Sequence, residues 1–502
     1  MQTILSAEQT RAADQYTIQH EPIASIDLME RASLAFVEVF VKQVSQEICV
    51  TVLCGPGNNG GDGFAVARML IAKGYQVECF LINITAGLSE DCAINLKRLG
   101  QIQEVKSIDK TDDLVLKDGF VIDAIFGSGL NRPVDGLAGQ VIEKVNVSGL
   151  PVVSVDIPSG LFADEVNLTG AIIKAAATIT FQVPKLSFLI PESGYYVGEW
   201  MAVDIGLSSD FISRQKGPYS LVDASFVSQV LPVREKFGHK GSYGRVQLIA
   251  GSLGKIGAAT LSGEACLKSG AGLLTIHVPG VGLNVVQTVL REAMATVDVC
   301  ETHISDIPLM QKADVICMGP GLGTHADTAN ALKKLLKKAE VPMVIDADAL
   351  NIIAQKPEWL KRIPEGSVLT PHVGEFERLF GKQSDGLARI KKMLEIVVTN
   401  RLVLVLKGAH TAIVDASGQV FFNTTGNSGM ATAGSGDVLA GVIAGLMAQG
   451  LSGKDAAISG VFLHGMAGDF AENKVGKTSL MASNLLNELH QAFCNVTVTS
   501  LF

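Results

Sequence analysis

Short runs of Val, Ile, Leu and Ala, each stopping at glycine, proline or a lone aspartate, recur along the chain, and that rhythm allows few folds. Ile48–Cys54 runs into Gly55-Pro-Gly-Asn-Asn-Gly-Gly-Asp-Gly63, and Gly119–Gly127, Pro151–Gly160, His239–Gly251, Val315–Gly323, Met343–Leu350 and Leu402–Thr411 repeat the pattern. A strand that is apolar without alternation is buried on both faces, which calls for a parallel sheet between two helical layers. Segments such as Phe64–Ala72 and the small-residue stretch Gly257–Leu267 read as the intervening helices. Residues 6–42, opening on an N-cap signal at Ser6, read as covering helices. The chain is therefore expected to be α/β throughout.

At 502 residues it exceeds one ordinary core, and two sizeable domains fit best. The strand pattern ends with Trp200–Gly206, and Leu207–Lys240 is mixed and polar, so the boundary is placed near residue 215, giving domains 1–214 and 215–502. A net charge of −9 leaves no basic footprint for nucleic acid. The eight cysteines include no CxxC pair and mostly sit in apolar runs, as expected in a reducing compartment. No signal-peptide pattern and no bilayer-length apolar run is present, so a cytoplasmic protein without a membrane anchor is expected. Glycine-rich apolar helices suggest a homo-oligomer.

In the first half, Gly55–Gly63 reads as a phosphate-binding loop between strand and helix, with Asn58, Asn59 and Asp62 adding side chains that a plain turn does not require. The C-terminal ends of parallel strands share one edge, so Asp123, Asp156 and Ser159 should converge on that loop. An aspartate inside an apolar strand must be paired, cation-bound or catalytic. Arg132 could meet a phosphate or carboxylate at the same edge. The plainer alternative is a set of exposed turn residues.

In the second half, Asn423–Asp437 is a run of Gly, Ser, Thr and Ala leading into the apolar Val438–Met447. A helix beginning at Gly436 or Asp437 would point free N–H groups at an anion, with the Asp437 carboxylate at its rim. Asp437 then serves as a general base or a metal partner, or else simply as a helix N-cap. His372 and Glu375 could face one ligand from a first helical turn, unless His372 is a cap; no second histidine stands at a zinc spacing. Lys407, at a strand end after five apolar residues, suits a nucleotide phosphate. These features describe a nucleotide-handling domain in which an aspartate activates a hydroxyl toward a phosphate.

The motifs GPGNNGGDG, D-x-x-FG-x-G at 123–129 and SVDIPSGL at 154–161 resemble the N-terminal YjeF family of NAD(P)HX epimerases, which interconvert the R and S forms of hydrated reduced nicotinamide dinucleotides. The resemblance implies a Rossmann-like three-layer domain in which Asn59, Asp123 and Ser159 help hold K+. Asn58, Asn59, Gly60, Gly61, Asp62, Gly127, Ser128, Gly129, Leu130, Asn131, Arg132, Pro133 and Asp156 would surround the substrate. Asp156 is the acid/base candidate, with Asn131 or Arg132 in the place of its partner. HKGSYG, GPGLG, TPHVGEF, KGAHT and GNSGMATAGSGDVLAG, spread over 239–484, resemble the ribokinase-like ADP-dependent NAD(P)HX dehydratases. That likeness implies that Lys407, Gly408, Ala409, His410 and Thr411, with Asn427, Ser428, Gly429, Met430, Ala431, Thr432, Ala433, Gly434, Ser435 and Gly436, bind ADP (or ATP), assisted by Mg2+. Ala258, Gly321, Gly323, His372 and Asp437 would contact hydrated NADH or NADPH, with Asp437 as base. Together the halves resemble the bifunctional NAD(P)HX repair family. The rivals are a ribokinase-like vitamin-precursor kinase of the hydroxymethylpyrimidine or hydroxyethylthiazole type and a non-catalytic nucleotide sensor.

Overall fold

The computed structural model describes residues 1–85, 87–167 and 169–498 and resolves the chain into two compact units, Thr3–Gly217 and, with Met1–Gln2, Pro218 onward. Both are α/β. The first carries a wholly parallel sheet whose strands lie side by side in the order Lys106–Ile108, Val77–Ile82, Val50–Cys54, Phe120–Ala124, Val152–Val155, Ala177–Phe181, Glu199–Val203. The chain starts in the middle at Val50–Cys54, winds to one side, then returns to wind the other way from Phe120. Where a sheet reverses direction like this, a crevice opens at the strand ends. Ser6 caps the covering helix Ala7–His20 in a reciprocal box with Gln9.

The glycine stretch is not the loop expected. Helix begins at Asn58 and runs to Ala72, leaving only Gly55–Gly57 as the turn. The glycines serve packing: a Cβ on Gly60 would lie 1.8 Å from the Gly55 carbonyl oxygen, and one on Gly63 would lie 2.6 Å from Ala124 Cβ. The helix can therefore press its first turns onto the strand ends. The short edge strand Lys106–Ile108 and the strand Ala177–Phe181 were not anticipated, the former because three residues with a charged first member give no period.

In the second unit the parallel strands are ordered Val403–Leu406, Val368–Leu369, Met343–Ile345, Val315–Met318, Arg245–Ile249, Leu273–Val278, Met294–Val297. Ala412–Val414 and Val420–Phe422 add an antiparallel hairpin beside Val403–Leu406, and Tyr219–Leu221 pairs with the latter. The polar segment 207–240 thus holds regular structure, including helices Ser209–Arg214 and Ala224–Val230, and Lys240–Tyr243 is a 3-10 turn rather than strand.

One face of this sheet packs Val246, Leu248, Val315 and Val344 against Val438, Val442 and Leu446 of helix Ser435–Ala448, and against helices Ile256–Lys268, Gly453–Val475 and Ala482–Val498. The alternate strand positions Ile316, Met318 and Ile345 are buried too, which by strand periodicity requires a second helical layer opposite. From Val438 on, helix Ser435–Ala448 is apolar on every side because it is enclosed on every side. A Cβ on Gly441 would lie 2.1 Å from the Ser262 carbonyl oxygen, so glycine there sets how closely the helix bearing Asp437 approaches Ile256–Lys268. Among the described residues no helix is long and apolar enough to cross a membrane.

A Gly441→Ala substitution should therefore destabilise this unit by about 1–3 kcal/mol, the usual cost of overpacking. The check is the urea unfolding transition of the full chain; an unchanged midpoint would mean that the two helices separate freely.

Candidate active sites

In the first unit, adjacent strands Val152–Val155 and Ala177–Phe181 both end in a γ-turn. Ile157 N bonds back to Val155 O at 2.8 Å around Asp156 (φ +65°), and Val183 N to Phe181 O at 2.7 Å around Gln182 (φ +62°). Non-glycine residues in this region cost of order 1–3 kcal/mol each, and such strain gathers at functional sites. The turns bring Asp156 to the neighbouring strand end. Its Oδ1 accepts from Lys185 Nζ at 2.5 Å, from Phe181 N at 3.0 Å and from Thr180 Oγ1 at 3.1 Å. The Lys185 side chain is only 3% exposed.

Lys185 is thus the basic partner that the sequence reading sought at Asn131 or Arg132, both of which are exposed. The missed signal was a lysine inside the apolar run Val183–Ile190, since a buried ammonium is tolerated only when paired. Asp14, on the helix Ala7–His20, was missed as well, because a lone Asp on an amphipathic helix reads as solvated. Burial lifts its carboxyl to about 6, helped by repulsion from Asp156 and opposed by Lys185. Burial also lifts Asp62 well above the usual range, with Asp156 adding and the Ser33 hydroxyl opposing.

These groups line a cavity of about 990 Å³, large enough for a nucleotide-sized ligand. Asn58, Asn59, Gly127, Ser128, Gly129, Leu130, Arg132 and Pro133 lie on its wall, whereas Gly60, Gly61 and Asn131 do not. Asn59, Asp123 and Ser159 do meet, around the Phe126 peptide. Asn59 Nδ2 donates to Phe126 O at 3.0 Å, and Phe126 N donates to Ser159 Oγ at 2.8 Å. Ser159 Oγ in turn donates to Asp123 Oδ1 at 2.5 Å, while Ser154 Oγ and Ser159 N each donate to Oδ2 at 2.8 Å. Burial raises the Asp123 carboxyl, and these donors restrain the shift.

In the second unit Asp437 stands in the first turn of Ser435–Ala448, a helix that starts after Gly434 in a left-handed conformation (φ +89°). The loop before it is pinned by Asp469, which accepts from Gly426 N at 2.9 Å and from Asn427 Nδ2 at 3.1 Å. Beneath Gly436 lies Lys407, whose Nζ would stand 3.3 Å from an added Cβ. The ammonium is 2.8 Å from Asp346 Oδ1 and 3.8 Å from Glu375 Oε2, so the lysine expected to face a phosphate is held between carboxylates. Burial alone would lower its pKa, but Asp346, Glu375 and Asp437 outweigh that and raise it. The Asp437 carboxyl is lifted to about 7 by burial and by Asp346, against the pull of Lys407, with Asp348 and Glu375 adding.

Asp348 accepts from Gly323 N at 2.8 Å and from Lys255 Nζ at 3.2 Å, docking the Gly321–Gly323 turn, and Gly321 packs against Ala258. His372 is a cap: its Nδ1 accepts from Gly374 N at 3.0 Å and from Glu375 N at 3.3 Å, and Glu375 reciprocates at His372 N. The half-exposed ring sets its Nε2 3.5 Å from Glu375 Oε1. Lys407–Thr411 is the hairpin turn, closed by Thr411 Oγ1 on Gly408 O at 3.1 Å. Asp346, Asp348 and His464 were not singled out from sequence. Asp346 obeys the strand-end rule applied to Asp123, while His464 lies mid-helix without a spacing signal. Burial lowers His464 to about 4, keeping a neutral ring 3.5 Å from Ser435 Oγ.

A protein-family model described as NAD(P)H-hydrate dehydratase matches residues 246–491, and one described as YjeF-related protein N-terminus matches 25–187. The bifunctional NAD(P)H-hydrate repair enzyme Nnr of Moorella thermoacetica is 38% identical, covering 98% of this chain and 97% of its own. The enzymes of the same name from Thermofilum pendens and Escherichia coli are 35% and 33% identical, covering 96% and 99% of this chain and 93% and 95% of theirs.

A carboxyl whose folded pKa exceeds its unfolded value costs stability once pH passes the unfolded value, and the cost grows until pH reaches the folded one. For Asp437 that window runs from the ordinary Asp range up to about 7. The melting temperature of ligand-free Asp437→Asn should therefore rise relative to wild type between about pH 4 and about pH 7 and level off above. A constant difference would mean that the carboxyl titrates normally.

Proposed function

The chain belongs to the bifunctional NAD(P)H-hydrate repair enzyme family, and on that premise we propose that it returns hydrated NADH and NADPH to their active forms in two steps. Thr3–Gly217 epimerises the R and S hydrates, and the unit from Pro218 dehydrates the S hydrate at the expense of an adenine nucleotide. The observation that carries this reading is the presence of two separate acid/base centres in a chain that bifunctional relatives match almost from end to end: Asp156 with Lys185, and Asp437 above Lys407 and Asp346.

Epimerising a carbon that bears a hydroxyl beside the ring nitrogen, by ring opening or by loss and return of water, requires a proton to be taken and given back. Asp156 and Lys185 share one hydrogen bond and can do both. Asn59, Asp123, Ser159 and the Phe126 carbonyl offer only hard oxygen donors once the Asn59 amide turns its oxygen inward, which fits an alkali ion. K+ held there would supply a fixed positive charge at this strand edge.

In the second unit Asp437 removes the proton of the ring hydroxyl as that oxygen attacks the terminal phosphate of ADP, or of ATP in the same role, breaking the bond to the bridging oxygen and releasing AMP or ADP respectively. The N–H groups of the Gly434–Asp437 turn face the transferred charge. The ring nitrogen then expels inorganic phosphate, and loss of a proton from the adjacent ring carbon restores the nicotinamide double bond; phosphate is the better leaving group than water. Lys407, fixed by Asp346 and Glu375, sets positive charge beneath the turn. Asp346 and Asp437 are carboxylates suited to Mg2+, which takes one or two such ligands with phosphate oxygens and would neutralise phosphate charge. Lys407–Thr411 and Asn427–Gly436 form the nucleotide side, and Ala258, Gly321, Gly323 and His372 the hydrate side.

The exposed apolar residues Val285, Val289, Met294 and Val297, on an edge strand and its neighbouring helix, support a homo-oligomer. Eight free cysteines and nicotinamide substrates support a reducing, cytoplasmic setting.

Recovery of reduced-nicotinamide absorbance from mixed R and S hydrates, with Mg2+ and either ADP, ATP or no nucleotide, tests the assignment. Wild type should recover all of it with nucleotide, Asp156→Asn and Lys185→Met only the S fraction, and Asp437→Asn should slow recovery roughly 10²–10⁴-fold. A stable phosphorylated product without recovery would identify a kinase instead. In the wild type, kcat/KM for the S hydrate should fall as pH is lowered and Asp437 takes up its proton; a flat profile would remove Asp437 as base.

A further inference from the structure

Away from both centres, the loop after strand Met294–Val297 and the start of helix Ala326–Leu336 bring together His303, His325 and Asp327, with Cys300 beside His303. One nitrogen of each imidazole and an Asp327 oxygen lie within 4.8 Å of one another, and among the described residues no other trio of His, Cys, Asp or Glu donors gathers as closely. His303 Nε2 stands 3.4 Å and His325 Nδ1 3.5 Å from Asp327 Oδ2. Cys300 Sγ lies 3.3 Å from His303 Nδ1 and 3.7 Å from Nε2. The two rings stack with centroids 3.9 Å apart.

The imidazole–carboxylate separations are too long for good N–H···O bonds, which run about 2.7–3.2 Å. The 3.4 Å between His303 Nε2 and Asp327 Oδ2 matches the spacing of two donors on one tetrahedral ion, about 3.3–3.8 Å for metal–ligand bonds of about 2.0–2.3 Å. We propose that Cys300, His303, His325 and Asp327 bind a divalent transition ion of the zinc class. Two imidazoles and a thiolate select Zn2+ or Co2+ over Mg2+ and Ca2+, which prefer oxygen. The His325 Nδ1 also accepts from the Asp327 amide at 3.2 Å, and the half-exposed ring can turn to offer Nε2 instead. An ion here fastens the 300–303 loop to the helix. Thr302 O accepts from Leu253 N at 2.8 Å, and the adjacent Ser252 bonds Gly321 O at 2.8 Å, so the clip would steady the turn on the hydrate side of the Asp437 centre.

The test is calorimetric titration of the metal-stripped full chain with Zn2+ in excess Mg2+, which fills oxygen sites, together with the absorption spectrum of the Co2+ form. Wild type should take up one Zn2+ per chain. His303→Ala and His325→Asn, the latter keeping a side chain able to cap the helix, should each weaken binding roughly 100-fold or more, beyond what outer partners of a metal site contribute. Cys300→Ser should abolish the thiolate-to-cobalt charge-transfer band. Failure to bind Zn2+, or equal affinity in wild type and both histidine variants, overturns the site; persistence of the charge-transfer band in Cys300→Ser overturns its thiolate ligand.

Discussion

A parallel sheet covered by helices on both faces has one place where charge can be concentrated without being wholly sealed from water, the C-terminal edge of its strands. Each unit of this chain fills that edge with a lysine held by an aspartate from another strand end: the buried Lys185 on Asp156 in one, the partly buried Lys407 on Asp346 in the other. Removing one partner of such a pair leaves an uncompensated charge and typically costs about 3–5 kcal/mol. The pairs are therefore structural commitments as well as chemical ones. Around each, further carboxyls are crowded close enough that burial and mutual repulsion raise their pKa values above the ordinary range, Asp14 and Asp62 beside the first and Asp437 beside the second.

Glycine is what allows these edges to be built. Helices Asn58–Ala72 and Ser435–Ala448 both begin at a site and must lie closer to their neighbours than a side chain permits, at Gly60 against Gly55 and at Gly441 against Ser262. The close approach brings the free amides of each first turn to the same edge as the charged pair. Anion binding and acid/base chemistry are thereby set side by side.

The local signals were readable wherever chemistry and chain order coincide. Asp123, Asp156 and Asp437 were found because a carboxylate beside an apolar run needs a reason, and the structure does bring Asp123, Asn59 and Ser159 around one peptide. The same rule could have reached Asp346 and, applied to ammonium groups, Lys185. It could not have reached Asp14 or His464, which sit on helices with no spacing that distinguishes them from solvated or core residues.

Sequence alone determined the class of fold, because unbroken apolar strands can be buried only between helices, and it determined which acids stand at strand ends, because side-chain chemistry and strand termini are both local. Only the tertiary structure decided who pairs with whom. Lys185 rather than Arg132 meets Asp156, Lys407 is held by Asp346 and Glu375, and the glycines of 60–63 lie in a packed helix instead of an open loop. Those outcomes depend on strand order and on distances between elements far apart in the chain, which no local pattern encodes.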